Sequence, residues 1–432
     1  MREMKDSGIE WIGKIPADWT LQWGKTIFAQ RLTKGNQSEI LLAATQKYGM
    51  LPQSEVEGVV QVKEDADLQQ FRTVHKKDFV ISLRSFQGGF EYSQYEGVCS
   101  PAYQVFYNTN PICHNYYRLL FKSDGFIQKM NSMTVGIREG KNIQYSDFAN
   151  SLIPVPPINQ QQRIADYLDR KCSQIDTIIA RQQEVIEKLK AYKLSVITEA
   201  VTKGLNPDVP MKDSGIPWVG NICNHYALSR VGAFCFVTKL AGFEYTDIMS
   251  SAISDTGEVP IVRAQNVRMF NFNDNIDEYI GLDVSQKLYR CALNKKCLLI
   301  TFIGAGIGDV CVFSKTMRYH LAPNVAKIEI RDEYKTILDE EYLMFYLGSL
   351  AGKGEISKIS KASAQPSLSM GTIRGITIAV PPIDEQREIS EYLSKKIAFI
   401  DKVVRDKESI IENLLAYKSS LIYEVVTGKK EV

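Results

Sequence analysis

The chain has 432 residues, 44% of them hydrophobic and 24% charged, and a net charge of +2. That length predicts two or three domains with real cores, and the balanced composition excludes wholesale disorder. Near-neutral charge is unlike a non-specific nucleic-acid binder, so any phosphate contacts are local or come from a partner. No apolar run nears ~18 residues and no basic-then-apolar leader opens the chain, so neither a membrane span nor secretion is expected. Eight cysteines without a CxxC pair, and only four histidines, point to a reducing cytoplasm and away from a bound metal.

In chain order, the first feature is Lys5-Asp6-Ser7-Gly8-Ile9 with Trp11 and Gly13, which returns as Lys212-Asp213-Ser214-Gly215-Ile216 with Trp218 and Gly220. Gly8–Lys14 imitates a phosphate-binding loop until Ile15 stands where a hydroxyl residue would hold magnesium, so a structural turn is expected. An insert over 15–154 follows, with a strand over Asp78–Leu83 and a helical patch over Tyr116–Phe121. Ser100-Pro101-Ala102-Tyr103 loosely echoes an amino-methyltransferase motif but reads as a turn entering a strand.

Pro156-Pro157 then forces extended chain, Asn159 offers an N-cap, and a long helix runs over 160–203 to Gly204 as a left-handed C-cap. Leu168, Ile175, Leu189 and Val196 fall at one heptad position and Ile178, Val185 and Tyr192 at the other, a coiled-coil seam with a polar break at Gln182. A second insert, 222–379, carries a strand over Cys297–Phe302 and a helical patch over Glu340–Leu347. Gly304-Ala305-Gly306-Ile307-Gly308 follows that strand, but strand-like residues rather than a helix come next, so a hairpin turn is predicted instead of a nucleotide loop. The chain closes as the first half did: Pro381-Pro382, Asp384, then a helix over 385–427 with Leu393, Ile400, Leu414 and Leu421 beside Val403, Ile410 and Tyr417. Lys407 is its polar break and Gly428 its C-cap.

From Val155 onward about 22 of 50 positions are identical to those from Val380, without a gap, so the chain is an internal repeat. The domains are set at 1–154, 155–204, 205–379 and 380–432, as two diverged copies of one α+β recognition domain, each followed by a helical spacer. Ile179, Ile186, Val404 and Ile411 widen the apolar stripe beyond one seam and are expected to face a partner's helices. No catalytic constellation survives in context. Binding features recur instead: Arg84, Ser85 and Gln87 at a strand end, with Arg263, Gln265 and Asn266 in the second insert. Arg138, Lys141 and Asn142 precede the first long helix, with Lys358, Lys361, Ser363 and Gln365 before the second. Such side chains read base edges and hold phosphates.

Lys-Asp-Ser-Gly-Ile-x-Trp-x-Gly at both starts, Val-Pro-Pro-Ile with Gln161 or Gln386 at both helix entries, and Val-Thr at both helix ends resemble the DNA-specificity (S) subunits of type I restriction–modification systems. The resemblance covers the whole chain. It implies two target-recognition domains joined by two antiparallel coiled-coil helices with approximate two-fold symmetry, each domain reading half of a split site in double-stranded DNA. It implies two modification (methyltransferase) subunits docked on the helices and restriction (translocase and nuclease) subunits beyond them. S-adenosylmethionine, ATP and magnesium are then expected on those partners, with no cofactor on this chain. The competing readings are a stand-alone adenine methyltransferase, which lacks a placeable cofactor loop, and a coiled-coil adaptor, which leaves two domain-sized inserts unexplained.

Overall fold

A computed structural model of the chain describes residues 2–35, 39–56, 68–82, 89–133, 143–360 and 367–432, with the backbone alone at 358–360. Two compact units result, one of Met1–Gln183 with Glu408–Val432 and the other of Glu184–Lys407. Each unit takes half of the central helix, Ile158–Lys203, and half of the C-terminal helix, Ile383–Val426.

The first unit is built on a four-stranded antiparallel sheet in the order Phe28–Arg31, Gln104–Asn108, Phe79–Ile81, Phe90–Tyr92. The second has the same order in Cys235–Lys239, Val325–Ile330, Cys297–Thr301, Val310–Phe313. The fillings differ. Phe28, Phe79, Phe90, Phe106 and Phe121 pack the first core, with Phe28 and Phe106 edge to face at 5.4 Å. Leu298, Ile300, Val310 and Ile328 pack the second. Rings or aliphatics serve the same sheet so long as the volume is filled, which is how the inserts lost sequence likeness and kept one fold. Cys297–Thr301 is buried throughout because alternate side chains feed two cores, Leu298 and Ile300 one and Cys297 and Leu299 the other.

The turns agree with the sequence. Gly8, Gly13, Gly215 and Gly220 all have φ near +67°, the left-handed region glycine enters without a Cβ penalty. Trp11 packs edge-on to Phe126 at 5.9 Å, and Trp218 donates to Glu355 at 3.0 Å. Gly304 and Gly308 shape the turn of an antiparallel hairpin. Tyr103 N–H closes a turn on Ser100 O, and the strand Gln104–Asn108 follows. Gly204 and Gly428 have φ of 70° and 75° at the two helix ends.

The helix starts differ from expectation. The helices begin at Ile158 and Ile383, so Asn159 and Asp384 lie inside the first turn and the N-cap positions fall to Pro157 and Pro382, whose carbonyls accept the first helical bonds. Pro157 O accepts from Gln160 and Gln161, and Pro382 O from Gln386. Asn159 shares that first-turn donor, its Oδ1 also accepting from Gln160 N–H at 2.9 Å.

The seam also differs. Burial selects Leu168, Cys172, Ile175, Ile179 and Ile186, and Leu393, Ile397 and Ile400 on the other helix. Ile178, Val185 and Tyr192 are exposed at 42%, 37% and 48%, as are Ile410 and Tyr417 at 43% and 52%. Steps of three-then-four and four-then-three share a 3.5-residue mean, and the pairs Ile178-Ile179, Val185-Ile186 and Ile410-Ile411 are apolar at both choices. The second of each pair turns inward. Consequently Ile179 and Ile186 are buried and Val404 and Ile411 half-buried, so the outward apolar face belongs to the neighbours once assigned to the seam.

Candidate nucleic-acid interface and partner face

Each unit fastens its recognition domain to the helices with the same bonds. At the first helix entry Gln161, buried, accepts from Cys113 N–H at 2.9 Å and donates to Pro156 O at 2.9 Å. At the second, Gln386 accepts from Asp339 N–H at 2.9 Å and donates to Pro381 O at 2.8 Å. Cys113 and Asp339 are the N-caps of the short helices His114–Phe121 and Glu340–Gly348, so one amide joins two helix starts. From those short helices Tyr116 donates to Val426 O at 2.8 Å and Tyr342 to Val201 O at 2.9 Å, holding the far end of the opposite long helix. Trp19 donates to Gln160 at 2.8 Å, and at the matching place Tyr226 donates to Glu385 at 2.7 Å. Burial pushes the hydroxyls of Tyr116, Tyr226 and Tyr342 well up, so all three remain donors throughout the physiological range. Gln161 and Gln386, and Tyr116 and Tyr342, are the same residue in both halves; only the fold gives their partners.

The expected base-reading residues divide. Arg84, Ser85, Gln87, Arg138, Lys141, Asn142, Lys361, Ser363 and Gln365 lie outside the described residues, and Lys358 is described only by its backbone, in the helix Leu350–Ser360. The loop Arg263–Asn266 follows the strand Val259–Val262. There Asn266 is buried; its Oδ1 accepts from Arg263 N–H at 2.8 Å and its Nδ2 donates to Asn273 O and Asn275 O at 3.0 Å. Arg263 is paired with Glu278. Asn266 therefore shapes the loop, and of the three only Gln265 is an exposed residue, its amide donating to Asp277 Oδ1 at 3.5 Å. Arg268, on the following hairpin, is a further exposed cation that the sequence pattern did not single out.

Lining the helices, the exposed residues Ile178, Val185 and Tyr192 recur at a spacing of seven, and Ile410 and Tyr417 repeat that spacing on the second helix. A stripe of this kind is an unfilled heptad position.

A family model described as the type I restriction modification DNA specificity domain matches residues 20–188 and again 243–412. The chain belongs to this family. Among curated relatives of the specificity-domain chain, the EcoBI specificity subunit of Escherichia coli is 23% identical over 314 residues, covering 70% of this chain and 62% of that protein. The EcoKI specificity subunit of E. coli strain K12 is 24% identical over 71% of this chain and 62% of its own length. The chain thus spans somewhat less than two thirds of these two relatives. A putative MjaX specificity subunit of Methanocaldococcus jannaschii matches at 23% over 98% of this chain and 96% of its own. In fold, a chain from a structure of type I R-M complex assembly and conformational transition superposes with a TM-score of 0.73 at 14% identity, covering 96% of this chain and 99% of its own. The HsdS subunit of Thermoanaerobacter tengcongensis gives 0.53 at 13%, covering 96% and 98%. At such identities the likeness is one of fold: two similar α+β recognition domains on two long antiparallel helices, as an internal repeat.

Proposed function

We propose that this chain is the sequence-reading subunit of a type I restriction–modification complex, binding double-stranded DNA at a two-part target with one half-site per recognition domain. The observation that carries the reading is the pair of identical fastenings, Gln161 with Tyr116 and Gln386 with Tyr342, around two differently filled domains. A constant mount beneath a variable reader presents two different sequences to one chemistry. Catalysis then resides elsewhere. Two modification subunits dock on the long helices along Ile178, Val185, Tyr192, Ile410 and Tyr417 and supply S-adenosylmethionine and adenine methylation. Restriction subunits supply ATP- and magnesium-dependent translocation and cleavage. Among the described residues no helix is long and apolar enough to cross a membrane, in keeping with work on cytoplasmic DNA.

Methylome sequencing of a strain expressing this chain with its modification subunit tests the reading. A two-part methylated motif is expected, and exchange of residues 15–154 for the corresponding domain of a relative should alter one half and keep the other. Loss of methylation specificity in both halves, or methyl transfer by the purified chain alone, would overturn it.

A further inference from the structure

The two units share their framework, and one difference between them lies beside the helices. In the second unit the hairpin Val267–Arg268/Asn271–Phe272 turns at Met269–Phe270, where Phe270 has φ 64°. The Phe270 ring covers Gly348, where a Cβ would meet it at 2.3 Å, and lies 5.4 Å from Phe345 and 5.8 Å from Lys193 Nζ. Its N–H donates to Val310 O at 2.8 Å. The shared bonds of Cys113 and Asp339, of Tyr116 and Tyr342, and of Ser123 and Ser349, each serine hydroxyl on the carbonyl three residues back, set the correspondence. Leu119 stands for Phe345, Lys122 for Gly348, Lys418 for Lys193, and Glu91 for Cys311, the neighbour of Val310.

In the first unit all four counterparts line an open groove of about 780 Å³. Its own hairpin, Leu42–Thr45/Gly49–Pro52, stops at the rim with Tyr48 65% exposed. One oxygen of Glu91, a buried side chain, pairs with Lys122 at 2.7 Å, while Oε2 is buried and accepts no hydrogen bond among the described residues. Arg118 Nε, also of a residue lining the groove, is likewise buried without a hydrogen-bond partner among the described residues. Buried polar atoms are seldom left unmet.

We infer that this groove receives a tyrosine side chain from the modification subunit, its ring entering on the side Phe270 occupies in the other unit but set off from that position, since Lys122 carries a Cβ where Gly348 has none, and its hydroxyl donating to Glu91 Oε2. A phenol both donates and accepts, so it can serve Glu91 and Arg118 together; a phenyl ring can serve neither. The volume is that of a small-ligand pocket and holds more than one ring, so the segment flanking the tyrosine enters as well. Through Asp176, Thr177 and Ala180 the groove opens onto the central helix beside Ile178. The inference rests on reading that stripe as the partner face.

The test is site-specific photocrosslinking in the full chain co-expressed with the modification subunit, with a benzophenone amino acid at Thr177 inside the groove and, separately, at Val185 outside it. Both sites should crosslink to the modification subunit, and the Thr177 adduct should map beside a tyrosine. Adducts from Val185 alone, or a Thr177 adduct on the hairpin around Tyr48, would overturn the inference and leave the partner face standing. Absence of both would overturn the partner face as well. In parallel, Glu91→Leu/Lys122→Met, which removes both charges together, should weaken modification-subunit binding about tenfold, the loss of one charge-assisted hydrogen bond, whereas Glu91→Gln keeps an acceptor and most of the affinity. Equal affinity in the double variant and the unaltered chain would also sink it.

Discussion

Lys193 Nζ lies 2.7 and 2.8 Å from the two carboxylate oxygens of Asp401, and Lys418 Nζ lies 2.6 and 2.8 Å from those of Asp176. Lysine and aspartate have exchanged helices between the two units. An apolar heptad seam tolerates a slide of one heptad with little loss; a charged pair at one position in each unit does not. Buried apolar residues lie on both sides of Lys193 (Ile186 and Ile197) and beyond Lys418 (Leu421), so each charged pair interrupts the inward row and fixes register where apolar contact cannot.

Reversal of one pair therefore has a defined outcome. Lys193→Asp should lower stability by about 1 kcal/mol, a modest figure because both side chains are partly exposed. The swap Lys193→Asp/Asp401→Lys should recover most of it. Urea unfolding of the four members of the cycle measures the coupling, and an additive result would deny the pair any role in register.

Ile186 and Val185 separate folding from docking. Ile186 is 5% exposed and Val185 37%. Ile186→Asp should cost about 3–5 kcal/mol, an unpaired carboxylate placed in a buried position. Val185→Asp should leave the thermal midpoint nearly unchanged and reduce modification-subunit binding in mass photometry. The opposite pattern would return the seam to the register first read from the sequence.

The entry glutamines give a third expectation. Gln161→Leu leaves Cys113 N–H and Pro156 O without their partner, at about 1–3 kcal/mol per unmet buried group. Gln386→Leu does the same to Asp339 N–H and Pro381 O. Limited proteolysis should show opening of the first unit in one variant and of the second in the other; a uniform response would mean that the bonds are not local fastenings.

A pH dependence follows from Glu91. Burial raises its carboxyl to about 7, against the pull of Lys122. The folded state then holds the proton more tightly than the unfolded chain, so stability is highest near and below pH 4.5 as far as this group is concerned and falls as pH rises toward 7. The full loss is about 3 kcal/mol. Glu91→Gln should flatten that part of the stability profile. An unchanged slope would show that the Lys122 pair, not burial, governs the group.

The repeat, the turns at Gly8 and Gly304 and both long helices were legible in the sequence because each rests on local rules: a glycine that must reach positive φ, a proline pair, a heptad. The seam was not fully legible, because Ile178-Ile179 and Val185-Ile186 satisfy either choice and only packing decides. Asn159 and Asp384 drew the N-caps two residues late because each helix opens directly after its proline pair, with Pro157 O and Pro382 O accepting the first helical bonds. Asn266 read as a base reader by residue type and is instead enclosed by the loop it shapes, a matter of burial that no motif carries. The groove at Glu91 had no sequence signal, since it exists only by contrast with Phe270 in the other unit.

Tyr116 binds a carbonyl 310 residues downstream, at Val426. The first unit is thus completed by Glu408–Val432, whereas the second is one uninterrupted stretch, Glu184–Lys407. On the ribosome, the half made first must wait for the last helix to emerge, while the half made second can close as soon as it leaves the tunnel. Maturation therefore runs opposite to synthesis. A chain arrested before Glu408 would carry a finished second reader and an unfinished first one, exposing the apolar side of Leu168 and Ile175 to chaperones.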